Sequence, residues 1–290
     1  MKPIIAMDIG GTNMRIALID ERFRILKVMR FPTLVGDKAA FMNQVAATIE
    51  ALGSDMKDVS AISIGVPGQV DASGHIKTLP NIHIDDVALA PFLEERFHKP
   101  VHIRNDAEMA ALCEAKLGAG KRHKRTYFVT ISTGVGGALV VNHALVNSSY
   151  EIGHTLFPYK GKFYEFERIA SGSGLIALCA MNGLEIQATS LFFSLVNSGN
   201  PQALAIFEDW LDLMATFLNR VQNLFEPDII ALTGGVMKSR DVFFEKLARK
   251  VHRVPVVPAE FGDDAGLMGA ASLVLFAATV TTKTKLGDAL

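Results

Sequence analysis

The sequence has few cysteines and few charged residues. Two cysteines, Cys113 and Cys179, are too few for a disulfide framework or a four-thiolate zinc site, and they favour a reducing, cytoplasmic location. Charged residues make up 20% of the 290 positions, which argues against a disordered chain. The formal net charge of −1 excludes a strongly basic surface, so nucleic acid is not expected as the main partner.

Long apolar runs are also missing. Residues 1–8 carry an apolar run that is too short for a signal peptide and that ends in a carboxylate. The longest apolar stretch, residues 265–280, contains two glycines and a serine and falls short of the ~20 residues that span a bilayer. We therefore expect no membrane partner and a buried helix near the C-terminus. The hydrophobic fraction of 49% is ample for a sizeable core.

A strand, a glycine turn and a second strand occur twice along the chain. Apolar runs at residues 4–7 and 16–19 flank the first turn, and runs at residues 127–131 and 138–141 flank the second. Two copies of one unit predict a duplicated protein of two lobes with a cleft between them. The alternative is a coincidence between two unrelated hairpins.

The remaining periodic segments alternate between helices and strands. Helices are expected at residues 39–52, 107–117, 204–225 and from 265 onward, and strands at residues 59–64, 101–103, 229–232 and 254–257. Asp263 and Asp264 are expected to cap the last helix, because acidic residues suit a helix N-terminus. This alternation indicates the α/β class.

Three turns that contain glycine each follow an apolar strand. Glycine lets the backbone approach an oxyanion closely, and a neighbouring threonine adds a hydroxyl donor. Each turn by itself can be a simple tight turn, whereas three in one chain favour contacts with phosphate and nucleotide. None of them is a Walker A loop or a GxGxxG fingerprint. The turns are Asp8-Ile9-Gly10-Gly11-Thr12, Thr133-Gly134-Val135-Gly136-Gly137 and Thr233-Gly234-Gly235.

Several polar residues have both a structural and a functional interpretation. Asp106 lies where a strand ends and a helix begins, so it is either the helix N-cap or a carboxylate at the strand end where α/β proteins bind ligands. Glu151 and His154 form a compact polar cluster, although a single histidine is commonly structural or exposed. Glu167 is either a capping-box partner, a surface charge or part of a site.

Together these motifs resemble the ROK family (repressors, open reading frames, kinases) of sugar kinases, which has the actin/hexokinase-like ATPase fold. The resemblance runs nearly end to end, and six motifs occur in the family's order: residues 8–13, 105–108, 132–137, 151–154, 167–172 and 233–236. It implies a two-lobe α/β fold. The expected domains are residues 1–117 and 118–277, with a terminal helix of about residues 278–290 returning to the first lobe.

The resemblance also implies an activity, the ATP-dependent phosphorylation of a hexose or N-acetylhexosamine at its 6-hydroxyl. N-acetylmannosamine is the leading substrate candidate and glucose the second. Asp106 is expected to be the general base, Asp8 to lie near Mg²⁺, and the assembly to be a homodimer. The expected sugar-binding residues are Pro67, Gly68, Asn81, Asn105, Asp106, Glu151, His154 and Glu167, and the expected ATP-binding residues are Asp8, Gly10, Gly11, Thr12, Asn13, Thr133, Gly134, Gly234 and Gly235.

The chain departs from the family in two places. Most members carry a cysteine-rich segment between the histidine and the second glutamate that binds zinc, whereas residues 155–166 contain no cysteine. We therefore expect no structural zinc and hypothesise that aromatic packing partly replaces the metal. The stretch before Glu151 also lacks the family's glycine-rich insertion. The aromatic residues of that hypothesis are Phe157, Tyr159, Phe163 and Phe166.

A protein of another class remains as an alternative. The family's transcriptional repressors carry an added N-terminal helix-turn-helix domain, and no basic segment precedes the strand that starts at residue 4. A non-catalytic sugar-sensing regulator would keep the fold without the chemistry. The intact Asp106 argues against such a regulator.

Overall fold

The computed structural model describes residues 2–146 and 151–287. The strands are β1 (Ile4–Ile9), β2 (Asn13–Ile19), β3 (Ile25–Pro32), β4 (Ile62–Val66), β5 (Gln69–Val70), β6 (Ile76–Leu79), β7 (Ile84–Val87), β8 (Val101–Asn105), β9 (Arg125–Ile131), β10 (Val135–Val141), β11 (Ala144–Leu145), β12 (Leu156–Tyr159), β13 (Lys162–Glu165), β14 (Ile229–Thr233) and β15 (Val256–Pro258). The helices are α1 (Lys38–Glu50), α2 (Leu89–Phe97), α3 (Asp106–Lys116), α4 (Glu167–Ala170), α5 (Gly172–Met181), α6 (Thr189–Asn197), α7 (Pro201–Phe225), α8 (Arg240–Lys250) and α9 (Ala265–Gly287). Within the described residues, no helix has the length and apolar character that crossing a membrane requires.

The chain divides into two compact units. Unit 1 comprises Met1–Lys116 and Asp263–Leu290, and unit 2 comprises Leu117–Gly262. The sequence-based boundary at residue 117 lies next to the first division, whereas the expected boundary at residue 277 lies well beyond the second. The reason is that all of α9 belongs to unit 1, where it packs against α3, β1 and β4. Residues 288–290 of the expected terminal helix lie outside the described residues.

Unit 1 is built on a five-stranded sheet with the order β3-β2-β1-β4-β8. β1 pairs antiparallel with β2 and parallel with β4, and β4 pairs parallel with β8. β1 and β4 are nearly continuous apolar runs because both faces of these central strands are buried. A smaller antiparallel sheet, β5-β6-β7, follows β4 in the chain.

Unit 2 is built on a second five-stranded sheet, with the order β11-β10-β9-β14-β15. β9 pairs antiparallel with β10 and parallel with β14, as β1 does with β2 and β4. The duplicated strand–turn–strand unit predicted from the sequence is therefore present. The core of unit 2 collects around α7, whose Trp210 packs edge-on against Phe243 with a ring separation of 5.0 Å.

The predicted elements exist with shifted ends. β2 starts at Asn13 rather than at residue 16, because its pairing with β1 and β3 continues to the turn. The strand expected at residues 59–64 is β4, which begins at Ile62, and the strand expected at residues 254–257 is β15, which begins at Val256. Such shifts are typical of strand ends, where pairing with neighbours decides the bounds rather than local apolarity.

α9 begins at Ala265, as the sequence predicts. Asp263 and Asp264 lie in a single 3₁₀ turn, Gly262–Asp264, directly before α9, and Asp264 accepts a hydrogen bond from Arg15 of β2. Further along, a Cβ atom on Gly269 would lie 1.8 Å from the carbonyl oxygen of Met109 in α3. The absence of a side chain there allows the two helices to cross at close range.

Candidate functional site

The first glycine turn joins β1 to β2 in unit 1. The Gly10 N–H donates to the carbonyl of Asn13 at 2.8 Å and closes the turn. Thr33, directly after β3, holds the turn with two hydrogen bonds: its N–H donates to the Thr12 carbonyl at 2.9 Å and its hydroxyl donates to the Gly10 carbonyl at 2.8 Å. The expected nucleotide-binding residues Gly10, Thr12 and Asn13 thus belong to one closed loop, in which Thr12 and Asn13 are exposed.

Gly11 has no room for a side chain. A Cβ atom at this position would lie 2.9 Å from both the Cβ atom and the carbonyl oxygen of Asn81. Real Cβ contacts are not that short, so the close approach of the turn to Asn81 requires glycine. The structure thereby places one expected sugar-binding residue directly against the expected phosphate-binding turn of the same unit.

Asp8, the last polar residue before this turn, is part of an ion-pair chain. Arg15, directly opposite Asp8 in the hairpin, donates to Oδ2 of Asp8 at 2.9 Å, to Oδ1 of Asp264 at 3.1 Å and to the Asp263 carbonyl. Although partial burial opposes it, hydrogen bonding to Asp8 raises the pKa of Arg15 above its ordinary value. A Cβ atom on Gly266 would lie 2.6 Å from Cγ of Asp8, so the first turn of α9 closes tightly over this carboxylate.

The motif around Asp106 lies where β8 ends and α3 begins. The side-chain oxygen of Asn105 accepts from the N–H groups of Ala107 at 2.9 Å and Glu108 at 3.3 Å, so Asn105 is the helix N-cap. Oδ1 of Asp106 accepts from the Ala107 N–H at 2.8 Å. The sequence analysis gave N-capping as the structural interpretation of Asp106, but Asn105 provides the N-cap. The side chains of Asn105 and Asp106 are both half-buried.

Asn105 also connects this motif to the segment after β4. Its Nδ2 donates to the carbonyl of Gly68 at 2.9 Å. A Cβ atom on Gly68 would lie 2.0 Å from the carbonyl oxygen of Thr78 in β6, so only glycine fits. Because β4 and β8 are parallel neighbours, their carboxyl ends bring Pro67, Gly68, Asn105 and Asp106 together at one edge of the sheet.

The second glycine turn joins β9 to β10 in unit 2 and is held in part by serine hydroxyls and backbone groups. The Ser132 N–H donates to the Gly134 carbonyl at 2.9 Å, and the Thr133 carbonyl accepts from the hydroxyls of Ser171, at 2.7 Å, and Ser173. The Gly172 N–H donates to the Ser132 carbonyl at 2.6 Å. The turn is thereby fixed to the N-terminal end of α5.

Glu167 lies in a cradle formed by two glycines. Its Oε2 accepts from the N–H of Val135 at 3.3 Å. Cβ atoms on Gly134 and Gly153 would lie 2.6 and 3.1 Å from that same oxygen. The carboxylate is therefore held against the expected phosphate-binding turn because neither glycine has a side chain.

His154 is held by Glu165, the last residue of β13. Its Nδ1 lies 3.1 Å from Oε1 of Glu165, and its Nε2 lies 4.0 Å from Oε1 of Glu167. Arg168 donates from Nε to Oε2 of Glu165 at 2.6 Å. Glu151 precedes the 3₁₀ turn Ile152–His154 and is exposed. The shortened loop expected before Glu151 lies at residues 147–150, outside the described residues.

The zinc site of the family's cysteine-rich members does not fit these residues. Ligand atoms of His154, Glu165 and Glu167 lie within 4.8 Å of one another, but they include no thiolate, and Arg168 already binds the Glu165 carboxylate. Cys179 is buried in α5, where burial raises the pKa of its thiol to about 12. Burial likewise raises the pKa of Cys113 in α3. No reaction step is therefore assigned to zinc.

Three of the four aromatic residues in the zinc hypothesis pack in β12 or directly after β13. Phe157 and Phe166 are buried at a ring separation of 4.9 Å, and Phe166 stacks on Phe217 of α7 at 4.1 Å. Tyr159 is partly buried and donates its hydroxyl to Asp209 at 2.9 Å. The expectation for Phe163 is wrong: it is 70% exposed, because it pairs with Pro158 on the face of the hairpin opposite Phe157.

The third glycine turn follows β14 beside the second turn. Gly234 has φ +103°, and a Cβ atom there would lie 2.3 Å from the carbonyl oxygen of Ile131. The Gly235 N–H donates to the hydroxyl of Ser132 at 3.4 Å. Because β9 and β14 are parallel neighbours, the third glycine turn, with the expected ATP-binding residues Gly234 and Gly235, contacts the second glycine turn within unit 2.

Four residues of these clusters had no role in the sequence-based site. They are Arg15, Thr33 and Glu165, each of which contacts a predicted residue, and Arg168, which contacts Glu165. Arg15 and Arg168 had local signals, since the period of the hairpin places Arg15 opposite Asp8 and Arg168 follows Glu165 by three residues. The others depend on contacts that no motif spacing expresses.

Comparison with known proteins identifies the family. The ROK family model matches residues 4–276. The glucokinase of Thermotoga maritima is 28% identical over 308 residues, covering 93% of this chain and 96% of the relative. The bifunctional enzyme NanE/NanK of Brucella melitensis is 30% identical over 283 residues, covering 93% of this chain and 54% of the relative, so the chain spans about half of that relative's length.

The fold agrees with that match. The crystal structure of the ROK hexokinase from Thermus thermophilus superimposes with a TM-score of 0.81 at 26% identity, covering 96% of this chain and 99% of the other. The predicted actin/hexokinase-like α/β fold is thereby confirmed. The chain belongs to the ROK family, whose sugar kinases are ATP-dependent phosphotransferases.

Proposed function

We propose that this protein transfers the γ-phosphoryl group of ATP to the 6-hydroxyl of an N-acetylhexosamine or hexose, with N-acetylmannosamine as the leading substrate. The observation that carries the proposal is the position of Asp106. Its carboxylate lies at the carboxyl end of a parallel strand, and the helix cap is already provided by Asn105. A half-buried carboxylate at the carboxyl end of a strand is suited to accept a proton from a substrate.

Asp106 would act as the general base. As the sugar 6-oxygen attacks the γ-phosphorus, its proton passes to the Asp106 carboxylate, the new O–P bond forms, and the bond from the γ-phosphorus to the β–γ bridging oxygen breaks to release ADP. Phosphoryl transfer depends mainly on positioning and charge neutralisation, so the base contributes by orienting the hydroxyl as well as by taking its proton.

The remaining polar groups would bind the sugar. Carboxylates and the imidazole accept hydrogen bonds from ring hydroxyls, and the Asn105 and Asn81 amides both donate and accept. The carbonyl of Gly68 holds the Asn105 side chain, and the cradle of Gly134 and Gly153 holds Glu167. Both side chains are therefore pre-organised. The proposed sugar-binding residues are Pro67, Gly68, Asn81, Asn105, Asp106, Glu151, His154 and Glu167.

The glycine turns would bind ATP. Their backbones allow close approach of phosphate oxygens, and threonine hydroxyls add donors. Magnesium bound with ATP would neutralise phosphate charge. Asp8 fits as its protein contact, because Arg15 binds to Oδ2 of Asp8 and Oδ1 is the oxygen that would face the metal. The proposed ATP-binding residues are Asp8, Gly10, Gly11, Thr12, Asn13, Thr133, Gly134, Gly234 and Gly235. The proposal includes a cytoplasmic homodimer.

The two leading substrate candidates are N-acetylmannosamine and glucose. Relatives of this chain include glucokinases and the bifunctional enzyme NanE/NanK. N-acetylmannosamine is favoured because residues 155–166 contain no cysteine, and family members without the cysteine motif include sialic-acid-pathway kinases. Glucose is the second candidate. A non-catalytic sugar sensor would bind one of these sugars and leave ATP intact.

A coupled ADP-release assay with Mg·ATP tests the proposal. The sugars are glucose, fructose, mannose, allose, N-acetylglucosamine and N-acetylmannosamine, each compared with a no-sugar control for background ATP hydrolysis. We expect the highest kcat/KM with N-acetylmannosamine. Turnover with glucose and none with N-acetylmannosamine would make glucose the substrate. Sugar binding by calorimetry without turnover of any sugar would favour the sensor.

A further inference from the structure

We propose that Glu165 is a positioning residue that holds the His154 imidazole with its Nδ1–H toward Glu165, so that Nε2 is left as the hydrogen-bond acceptor for a sugar hydroxyl. The inference rests on the proposed role of His154 in sugar binding. It adds a requirement for the substrate, which must have a ring hydroxyl that donates a hydrogen bond to Nε2 of His154.

The geometry consists of three links. Oε1 of Glu165, at the end of β13, lies 3.1 Å from Nδ1 of His154. Oε2 of the same carboxylate accepts from Nε of Arg168 at 2.6 Å, which fixes the carboxylate from its other side. His154 is 54% exposed, so packing alone does not fix its ring, and the hydrogen bond to Glu165 determines its orientation.

The protonation pattern follows from the partners. Hydrogen bonds from Arg168 and then from His154 lower the pKa of the Glu165 carboxyl below its ordinary value, so this carboxylate is ionised near neutral pH and only accepts. Nδ1 must therefore carry the proton. A neutral imidazole has one donor and one acceptor nitrogen, which leaves a lone pair on Nε2.

The other charged groups near the ring do not change this assignment. Oε1 of Glu167 is 4.0 Å from Nε2, beyond hydrogen-bonding distance, and Oε2 of Glu167 accepts from the Val135 N–H. Arg168 faces Glu165 and does not bond to the ring. Nε2 is therefore positioned to accept a hydrogen bond from a bound hydroxyl. Without Glu165, the ring is free to rotate and to place its proton on Nε2, which turns the acceptor into a donor.

The first part of the test determines which ring nitrogen of His154 is protonated in the absence of substrate. The protein labelled with ¹⁵N-histidine is examined by NMR at pH 8, and His154 is assigned among the eight histidines with a His154→Asn variant. We expect a protonated Nδ1 and an unprotonated Nε2. In Glu165→Ala we expect the ring nitrogen shifts to move toward the tautomer protonated at Nε2.

The second arm separates binding from chemistry. With the sugar identified by the substrate assay, Glu165→Ala should raise KM for the sugar by about tenfold to a hundredfold, since a charge-assisted hydrogen bond is lost. The KM for ATP should stay unchanged and kcat should change by less than about threefold. Glu165→Gln keeps a carbonyl acceptor and nearly the same shape, so it should recover part of the loss. Glu245→Ala, which breaks an exposed pair with Arg249, is the matched control.

Several results would overturn the proposal. They are a His154 that is protonated at Nε2 or doubly protonated in the unsubstituted protein, a ring spectrum unchanged in Glu165→Ala, or a spectrum that shifts on chelation and returns with zinc. A loss of kcat equal to the loss of kcat/KM would also contradict it. If no sugar is phosphorylated, the proposed function fails while the NMR arm still decides the orientation of His154. Circular dichroism of each variant checks that it is folded.

Discussion

The two five-stranded sheets share one strand order but carry different groups at corresponding places. In the first hairpin, Asp8 lies opposite Arg15 one step before the strands end at the glycine turn. At the same step of the second hairpin, Thr130 lies opposite Gly136. The first turn is thus flanked by an ion pair, whereas the second is held by serine hydroxyls, backbone groups and the Glu167 carboxylate, which accepts from the Val135 N–H.

The strand ends differ in the same way. β8 and β15 occupy the same edge position in their sheets, yet β8 is followed by Asp106 and β15 by Ala259 and Glu260. β4 and β14 also correspond, and each is followed by a glycine that has no room for a side chain, Gly68 and Gly234. Both sheets therefore place a glycine without room for a side chain after the corresponding strand, while the residues that follow the edge strands differ.

The largest effect is expected for a substitution of Asp106, which follows β8. Asp106→Asn keeps the shape and the hydrogen bond to Ala107 but removes the proton acceptor, so we expect kcat to fall about 10²- to 10⁴-fold with a far smaller change in sugar affinity. The measurement is steady-state turnover together with calorimetric sugar binding.

The matched control is Glu260→Gln, the exposed carboxylate after the corresponding strand of unit 2. It should leave kcat unchanged. Near-normal turnover in Asp106→Asn would return Asp106 to a structural role at the start of α3, and the difference between the two strand ends would then have no catalytic meaning.

A second difference is the aromatic hairpin that only unit 2 adds at its site, where unit 1 has the small sheet β5-β7. Phe166→Ala should lower the free energy of unfolding by about 3–5 kcal/mol, because it empties a buried position stacked on Phe217. Phe163→Ala on the same hairpin should change it by less than about 0.5 kcal/mol.

Urea unfolding followed by circular dichroism measures both values. Equal losses for the two phenylalanines would show that the hairpin is not anchored through its buried face. In that case aromatic packing would not account for the order of this segment.

The smallest effect concerns the ion pair. Arg15→Gln should destabilise the protein by about 1–2 kcal/mol, because it leaves the partly buried Asp8 carboxylate without its cationic partner. The difference should shrink in 1 M salt, where the attraction in the unsubstituted protein is partly screened.

Arg249→Gln breaks an exposed pair and should cost less than about 0.5 kcal/mol under the same conditions. An Arg15→Gln variant as stable as this control would mean that the Asp8–Arg15 pair beside the first turn contributes no more to stability than an exposed surface pair.

The frame of the molecule was predictable because its signals are local. Apolar runs separated by glycine turns predicted both hairpins, and helical spacing predicted α1, α3 and α7. β3 was not predicted, since it is an edge strand whose Ile25 and Val28 are exposed and whose sequence mixes charged and apolar residues. The short strands β5, β6 and β7 were also missed, because each exists through pairing with the others rather than through its own pattern.

The candidate site also has one part that the sequence predicted and one part that it did not. The sequence by itself determined which residue types stand at the turns and strand ends, because those positions follow from apolarity and from the conformational demands of glycine. Only the tertiary structure decided that Asn105 caps α3, that Glu167 lies between Gly134 and Gly153, and that Glu165 holds His154. Hydrogen-bond partners are chosen by distance in space, and segments separated along the chain acquire that distance only when the sheets and helices pack.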